Sequence, residues 1–470
     1  MLDFKFSKMK MIKKITYLFA ATIVLASTSC EKTLDIQPQQ NIDANVALQN
    51  IDDIKSAVTG LYGLLGNGAL YGTNLNILSE LQGSDSYISW RGTFQSYRQV
   101  ANKNIVADNA DVLRTWTTSY RAIILANNIL DKLKTIDPSN TKEKGEAYFV
   151  RGALYFELVR YYGLPYLNGA TNSQLGVPIV TSTVYNENQA SAKTARSTVE
   201  QVYAQAEADL LNAVTFLPTV NDKRLTKYAA IAFLSRLNLQ KAGTAGAGDA
   251  NLIKARDFAN QVISSNVFGL NPLVTIAFNN RNSAESIFEI QQNDQNNAGS
   301  SNDGLATFYA SLPGSVGRAD IRLSSAFVNQ YEAADNRKTL LTYVGTGARP
   351  GNTYTAKWTD FGQNIPVVRL AEMLLTRAEA NYRLGTVIGN TPLNDVNLVR
   401  TRAKATPLTT LSSLDNITNE RALELAFEGL RIHDIKRLKK STGSFAYNDR
   451  LLVFPIPDRE IKANNLLVQN

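Results

Sequence analysis

The amino-acid sequence predicts a mainly α-helical protein of paired helices, with one long irregular region set into it. Three observations carry this. Apolar residues recur at spacings of three and four through eight separate stretches, the mark of a buried helical face. Alanines fall where neighbouring helices would meet: Ala147 and Ala153, Ala229, Ala230 and Ala232, Ala371, Ala378 and Ala380. Residues 268–362, by contrast, mix short apolar runs such as Ile287–Ile290 with Asn, Gly and Ser.

The chain has 470 residues, 44% hydrophobic and 19% charged, with a formal charge of +8. That charge is uneven. Lys5, Lys8, Lys10, Lys13 and Lys14 stand against Asp3 alone at the start, which leaves residues 30–470 at only +4. No Lys/Arg run marks a nucleic-acid footprint, and nucleic acid is not an expected partner. The basic start is followed by an apolar stretch from Ile15 to Ala26, shorter than the ~20 residues that span a bilayer. Ser27, Thr28 and Ser29 then precede Cys30, the only cysteine. This pattern resembles a lipobox, although Ser27 stands where Leu is commonest and Leu25 lies two residues upstream. Residues 1–29 read as a lipoprotein signal peptide, Cys30 as the acylated residue, and residues 30–44 as a polar, flexible tether containing Gln37, Pro38, Gln39 and Gln40. One cysteine cannot form an internal disulfide. No later segment is apolar enough to span a membrane, so the lipid would be the anchor.

Residues 45–470 form the folded domain. Helical periodicity covers Asp111–Leu133, Gly145–Tyr162, Thr198–Leu217, Lys227–Ala242, Asn251–Ser264, Val367–Leu384, Asn394–Ala405 and Asn419–Lys440. Pro138 and Pro218 close the first and third, and Gly243 caps the fourth. In the last, Leu423, Ala426, Phe427 and Leu430 share a face; acidic Glu420 and Glu424 begin it and basic residues end it, as the helix dipole favours. The pairing resembles a degenerate tetratricopeptide-type superhelix without a regular period. Residues 163–195, with Gly163, Pro165, Gly169, Gly176 and Pro178, read as loop.

No catalytic constellation is apparent. His433 is the only histidine and lies within the final helical stretch, where a structural role is the expectation. No His/Cys cluster has metal-ligand spacing. Gly243, Gly246 and Gly248 follow a helix rather than a strand and lack the Lys-Ser/Thr of a phosphate loop. The sequence implies no enzyme, metal or cofactor.

From Cys30 to Asn470 the chain resembles the SusD/RagB nutrient-binding lipoproteins of the Bacteroidetes outer membrane. The opening Leu34, Asp35 and Pro38 are similar to that family's start. Trp116, Tyr120 and Asn127 come next, then Glu146, Arg151, Tyr155, Phe156, Gly163, Pro165, Tyr166 and Gly176-Val177-Pro178. Pro366, Arg369, Glu372, Glu379, Ala380, Asn394, Arg400 and Arg402 follow. The strongest block is Glu420-Arg421, Glu424, Phe427-Glu428-Gly429, Arg431, Asp434 and Arg437, and the ending Pro455-Ile456-Pro457, Glu460, Asn464 and Gln469-Asn470 is nearly as specific. Most of these residues read as scaffold; Arg431 could pair with Asp434 or Glu428 on one helix face. The resemblance implies a cell-surface protein that captures oligosaccharides for a SusC-like TonB-dependent transporter, or peptides in RagB-like cases. It also implies that the lipid anchor faces outward from the outer membrane. A surface glycosidase is the least favoured reading.

A sugar site needs aromatic platforms beside amides, carboxylates or guanidinium groups. Residues 83–98 supply Asp85, Tyr87, Trp90, Arg91, Phe94, Gln95, Tyr97 and Arg98, with Trp90 as the expected platform and Arg91 as donor. Family members commonly carry an aromatic ligand contact in this loop. The Gln291–Tyr309 segment adds Gln292, Asn293, Asn296, Asn302, Phe308 and Tyr309. The expected ligand-binding residues are Asp85, Tyr87, Trp90, Arg91, Tyr97, Gln292, Asn293, Asn302 and Tyr309. Trp116 and Trp358 are expected in the core.

Overall fold

A computed structural model describes residues 48–279, 281–299 and 302–470. Cys30 and the signal and tether segments lie outside the described residues. Twelve longer helices are described: α1 (Ile51–Leu65), α2 (Asn74–Gln82), α3 (Gln95–Ala101), α4 (Ala110–Ile136), α5 (Lys142–Tyr162), α6 (Val199–Phe216), α7 (Lys227–Ala242), α8 (Ala250–Ser264), α9 (Leu370–Leu384), α10 (Pro392–Arg402), α11 (Asp415–Glu424) and α12 (Arg431–Arg437). Six short strands are described: β1 (Ile88–Trp90), β2 (Ser286–Ile290), β3 (Ile321–Leu323), β4 (Thr342–Val344), β5 (Thr353–Thr355) and β6 (Ile365–Arg369).

From α4 to α10 each helix packs on the next, including α8 on α9 across the irregular region. That region is therefore an excursion from a continuous helical stack. Small residues permit the stacking: a Cβ at Gly152 would lie 2.9 Å from Asp209 Cβ and 3.0 Å from the Ala206 carbonyl, so α5 and α6 approach closely there. Beside it, Arg151 donates to Asp209 at 2.8 and 2.6 Å and to Asn127 at 2.8 Å, tying α4, α5 and α6 together. Thr198 caps α6 and exchanges hydrogen bonds with Gln201 in a capping box. Gly243 ends α7 at φ 52°. Trp116 and Trp358 are buried. Residues 163–195 are mostly loop, with a short helix at Glu187–Ala190.

Two helix expectations are corrected. The stretch Val367–Leu384 is not one helix: Ile365–Arg369 form β6, antiparallel to β2, and α9 starts at Leu370. Pro366 has no N–H to give, and the β-branched Ile365, Val367 and Val368 suit a strand. The stretch Asn419–Lys440 is also broken, into α11 and α12. Phe427 (φ 65°) and Gly429 (φ 81°) turn the chain between them. The expected pairs of Arg431 with Asp434 or Glu428 do not form. Asp434 faces Arg421 (3.0 Å) and Arg437 (2.6 Å), and Glu428 faces Lys357 and Arg369 (2.7 Å each). Glu420 and Glu424 serve not the helix dipole but a buried network. Glu420 binds Arg337 (2.6 Å) and Arg400 (2.7 Å); Glu424 binds Arg337 (3.2 Å), Arg369 (2.6 Å) and Arg402.

The 268–362 region is less irregular than its sequence reads. Besides β2 it holds β3 and the β4–β5 pair, and β1 from the N-terminal part pairs antiparallel with β3. This last pairing brings residues 83–98 against residues 305–323. Residues 48–470 form one compact unit.

His433 is buried edge-on to Tyr161, with ring centroids 4.9 Å apart, and neither ring nitrogen has a hydrogen-bond partner. Burial, then Arg160, Lys436 and Arg236, holds its pKa well below the ordinary 6.5. Lys436 donates to the Leu452 carbonyl at 2.6 Å. Burial, then Arg160, brings its pKa from 10.5 to about 7. In both cases the unfolded chain binds more protons than the folded one, so stability falls as pH drops. The loss runs from 10.5 down to about 7 for Lys436 and below 6.5 for His433. Urea midpoints should fall between about pH 9 and pH 5. Lys436→Met should flatten the upper part of that curve and His433→Phe the lower. A midpoint that rises on acidification in this range would contradict the account.

Candidate ligand-binding site

The β1–β3 pairing places an aromatic cluster between the two segments expected to bind ligand. Trp90 packs on Tyr97 (5.1 Å between centroids) and Phe308 (5.8 Å); Phe94 packs on Tyr97 (6.3 Å) and Phe308 (6.0 Å). Trp90 is half-buried, and a Cβ at Gly92 would lie 2.4 Å from its ring. Its indole N–H is buried without a partner. Phe94 is the most exposed ring of the cluster, at 36%.

Three tyrosines expected at the ligand are corrected, because they are packed away from solvent. Tyr87 is buried, stacks on Phe427 at 5.1 Å and donates to Glu80 at 2.6 Å. Tyr97 is buried and donates to Asn74 at 2.8 Å. Tyr309 is buried, and its hydroxyl has no partner. Alternating aromatic and polar residues in 83–98 hid this, since a ring pays no sequence-visible penalty for facing inward. Asp85 is exposed but lines neither of the cavities described below. Asn293 accepts from the backbone of Gln295 (2.9 Å) and Asn296 (2.8 Å), which shapes its own loop. Asn302 is exposed at a left-handed turn, φ 59°.

Two cavities flank the cluster. One is a polar cleft of ≈ 630 Å³ lined by Tyr62, Arg114, Lys223, Arg224, Gln291, Gln292, Asn296, Asn297 and Asp303. Arg114 organises it, reaching Asp111 (2.5 Å), Asp303 (2.8 Å), Asn74 (2.9 Å) and Tyr97 (2.8 Å). A Cβ at Gly68 would lie 2.1 Å from the Asp303 carboxylate, so glycine there lets Asp303 reach Arg114. Carboxamides both donate and accept, which suits hydroxyls and peptide groups alike. The other cavity, a groove of ≈ 630 Å³, is formed by residues 312–320 and 347–349. Arg318 on its wall lies over Phe94, 4.5 Å from the ring centroid, and donates to Thr93 at 3.0 Å. A chain of contacts thus runs from Arg114 through Tyr97, Phe308 and Phe94 to Arg318.

Sequence reasoning missed Tyr62, Arg114, Asp303, Arg318 and Arg349. Arg318 and Thr93 lie 225 residues apart, and no local pattern joins them.

Two family models match the chain. Residues 32–239 match a family described as starch-binding and associating with the outer membrane, and residues 351–451 match the SusD family. The chain belongs to the SusD/RagB family. A SusD-like protein P2 of Formosa agariphila is 24% identical, over 97% of this chain and 98% of its own length. A SusD-like protein of Bacteroides ovatus is 24% identical over 91% and 83%. The crystal structure of a SusD superfamily protein from Bacteroides thetaiotaomicron aligns at TM-score 0.79 and 27% identity, covering 90% of this chain and all of that one. A SusD-like carbohydrate binding protein from Bacteroides vulgatus has the same fold, at TM-score 0.76 and 20% identity over 89% and 97%. SusD-family proteins are outer-membrane lipoproteins with a general role in nutrient binding and uptake, and they bind rather than catalyse. Much of the excursion, including Gln291–Tyr309, Arg318 and Arg349, lies between the two matched SusD stretches.

Proposed function

We propose that this SusD-family protein captures oligosaccharides at the cell surface and delivers them to a SusC-like TonB-dependent transporter. In this reading residues 1–29 are removed, Cys30 carries the lipid, residues 30–44 tether it, and residues 45–470 bind ligand with the anchor facing outward. The polar cleft carries the proposal. Its carboxamides Gln291, Gln292 and Asn296, beside Arg224 stacked over the Tyr62 ring (5.4 Å to the centroid), offer the donors and acceptors that a sugar needs. The starch-binding description of the matched family and the carbohydrate-binding relative from Bacteroides vulgatus favour the same ligand class.

Soluble residues 31–470 should be retarded by a polysaccharide in native affinity gels without cleaving it. The double variant Gln292→Ala/Asn296→Ala should weaken that binding about tenfold, the size expected for two lost hydrogen bonds of about 0.7 kcal/mol each. Retention of peptides instead of any glycan would replace the proposal with RagB-like peptide capture, which the same carboxamides suit equally. For the anchor, Cys30→Ala should remove protease-accessible protein from intact cells; equal surface protein would defeat it.

A further inference from the structure

The arginines around Phe94 outnumber the carboxylates that could neutralise them. Arg318 and Arg349 share the buried carboxylate of Asp320, at 3.0 and 2.5 Å. Arg91 joins the same point through its backbone N–H, which donates to the Asp320 carbonyl at 2.6 Å. Arg98 donates to the Gly92 carbonyl at 2.9 Å. Arg322, on β3, donates to Asn352 at 3.0 Å, and Asn352 donates in turn to the Arg349 carbonyl at 3.1 Å. Among the described residues Arg91, Arg98 and Arg322 form no ion pair. Two guanidinium groups thus share one carboxylate and the three other arginines pair with none, in a molecule whose residues 30–470 carry only +4 in all.

We propose that the ligand is an acidic glycan, bearing carboxylate or sulfate groups, held on the arginine-rich surface that Arg91, Arg98, Arg318, Arg322 and Arg349 form around Phe94. The inference rests on the glycan reading above and names its substrate class. Gathered cations repel one another unless an anion answers them. A guanidinium presents a planar fork that matches carboxylate and other oxyanions bidentately, which a neutral sugar cannot exploit. Phe94, 36% exposed, supplies a ring face next to the charge, and the groove of ≈ 630 Å³ beside Arg318 and Arg349 gives the chain of sugars room. That combination favours a charged sugar over a charged polypeptide.

The test uses residues 31–470 in affinity gels and calorimetry against polygalacturonate (carboxylate), carrageenan (sulfate), neutral galactan and polyglutamate. At least one acidic polysaccharide should bind ten times more tightly than galactan and polyglutamate. Arg91→Gln/Arg322→Gln should cost that binding at least tenfold while the urea midpoint stays in place. Arg91→Gln alone, whose side chain makes no hydrogen bond among the described residues, should cost a smaller fraction and guards against misfolding of the double variant. Galactan bound as tightly as the acidic polymers, or bound while neither acidic polymer is, overturns the inference and leaves the glycan reading standing. Polyglutamate bound equally well, or acidic binding unmoved in both variants, also overturns it. No retention by any glycan overturns both.

Discussion

Replacing Arg369 with alanine is expected to lower the unfolding free energy by about 3–5 kcal/mol, the usual cost of leaving buried charge unpaired. Arg369 ends β6 with its side chain 2% exposed. It binds Glu285 (2.6 Å), Glu424 (2.6 Å) and Glu428 (2.7 and 2.8 Å), and donates to the Glu424 carbonyl at 2.8 Å. Burial alone would raise the Glu424 carboxyl, but Arg402, Arg369 and Arg337 outweigh it and hold the group well below the ordinary carboxylate range. Removing Arg369 leaves three buried carboxylates short of a partner. The network also joins the excursion to the helical stack, because Glu285, Arg337 and Lys357 come from the one and Arg402, Glu420 and Glu424 from the other. Urea denaturation of Arg369→Ala should show a much lower midpoint, and Arg369→Lys should recover little of it, since an ammonium cannot reproduce the fork. Lys55→Ala, which breaks an exposed pair with Asp52, should leave the midpoint in place. A midpoint for Arg369→Ala matching that control would refute the clamp.

The second large effect is expected at Gly429. Its φ is 81°, and a Cβ there would lie 2.8 Å from the Leu75 carbonyl and 2.9 Å from Asn76 Cα. Gly429→Ala combines a left-handed backbone, about 1–2 kcal/mol, with overpacking against fixed backbone, about 1–3 kcal/mol. The expected loss is on the order of 3 kcal/mol. The turn is locked by two side chains from the N-terminal part: Glu80 accepts from the Gly429 N–H and Tyr87 from the Phe427 N–H, each at 2.8 Å. Gly385→Ala makes the comparison: its φ is 67°, but no atom lies within 4 Å of the added Cβ, so it carries the backbone penalty alone. Equal losses at the two positions would show that packing at Gly429 adds nothing.

The Gly429 turn also shows where periodicity misleads. Leu423, Ala426, Phe427 and Leu430 do fit one helical face, and local propensity allows it. The break is imposed by Glu80 and Tyr87, 349 and 340 residues away from their partners. The Val367 stretch went the same way, because its strand exists only by pairing with β2. Lys227–Ala242, in contrast, was legible to the residue: its alanines, its unbroken run and Gly243 are all local signals. The ligand site divides likewise. Composition pointed to 83–98 and 291–309, and the fold brings these segments together, but it turns Tyr87, Tyr97 and Tyr309 inward.

What the sequence determined by itself is whatever depends on neighbours along the chain. This covers the helical stretches and their caps, the N-terminal signal pattern ending at Cys30, and the ordered motifs of the SusD/RagB family. What the tertiary structure alone decided is whatever depends on charges and rings meeting across distance. No basic run exists in the sequence, yet β1–β3 pairing and the 346–352 loop bring Arg318 and Arg349 onto one carboxylate, with Arg91, Arg98 and Arg322 on the segments joined there. Coulomb interactions act through space rather than along the chain, so a footprint spread over some 250 positions leaves no local pattern to read.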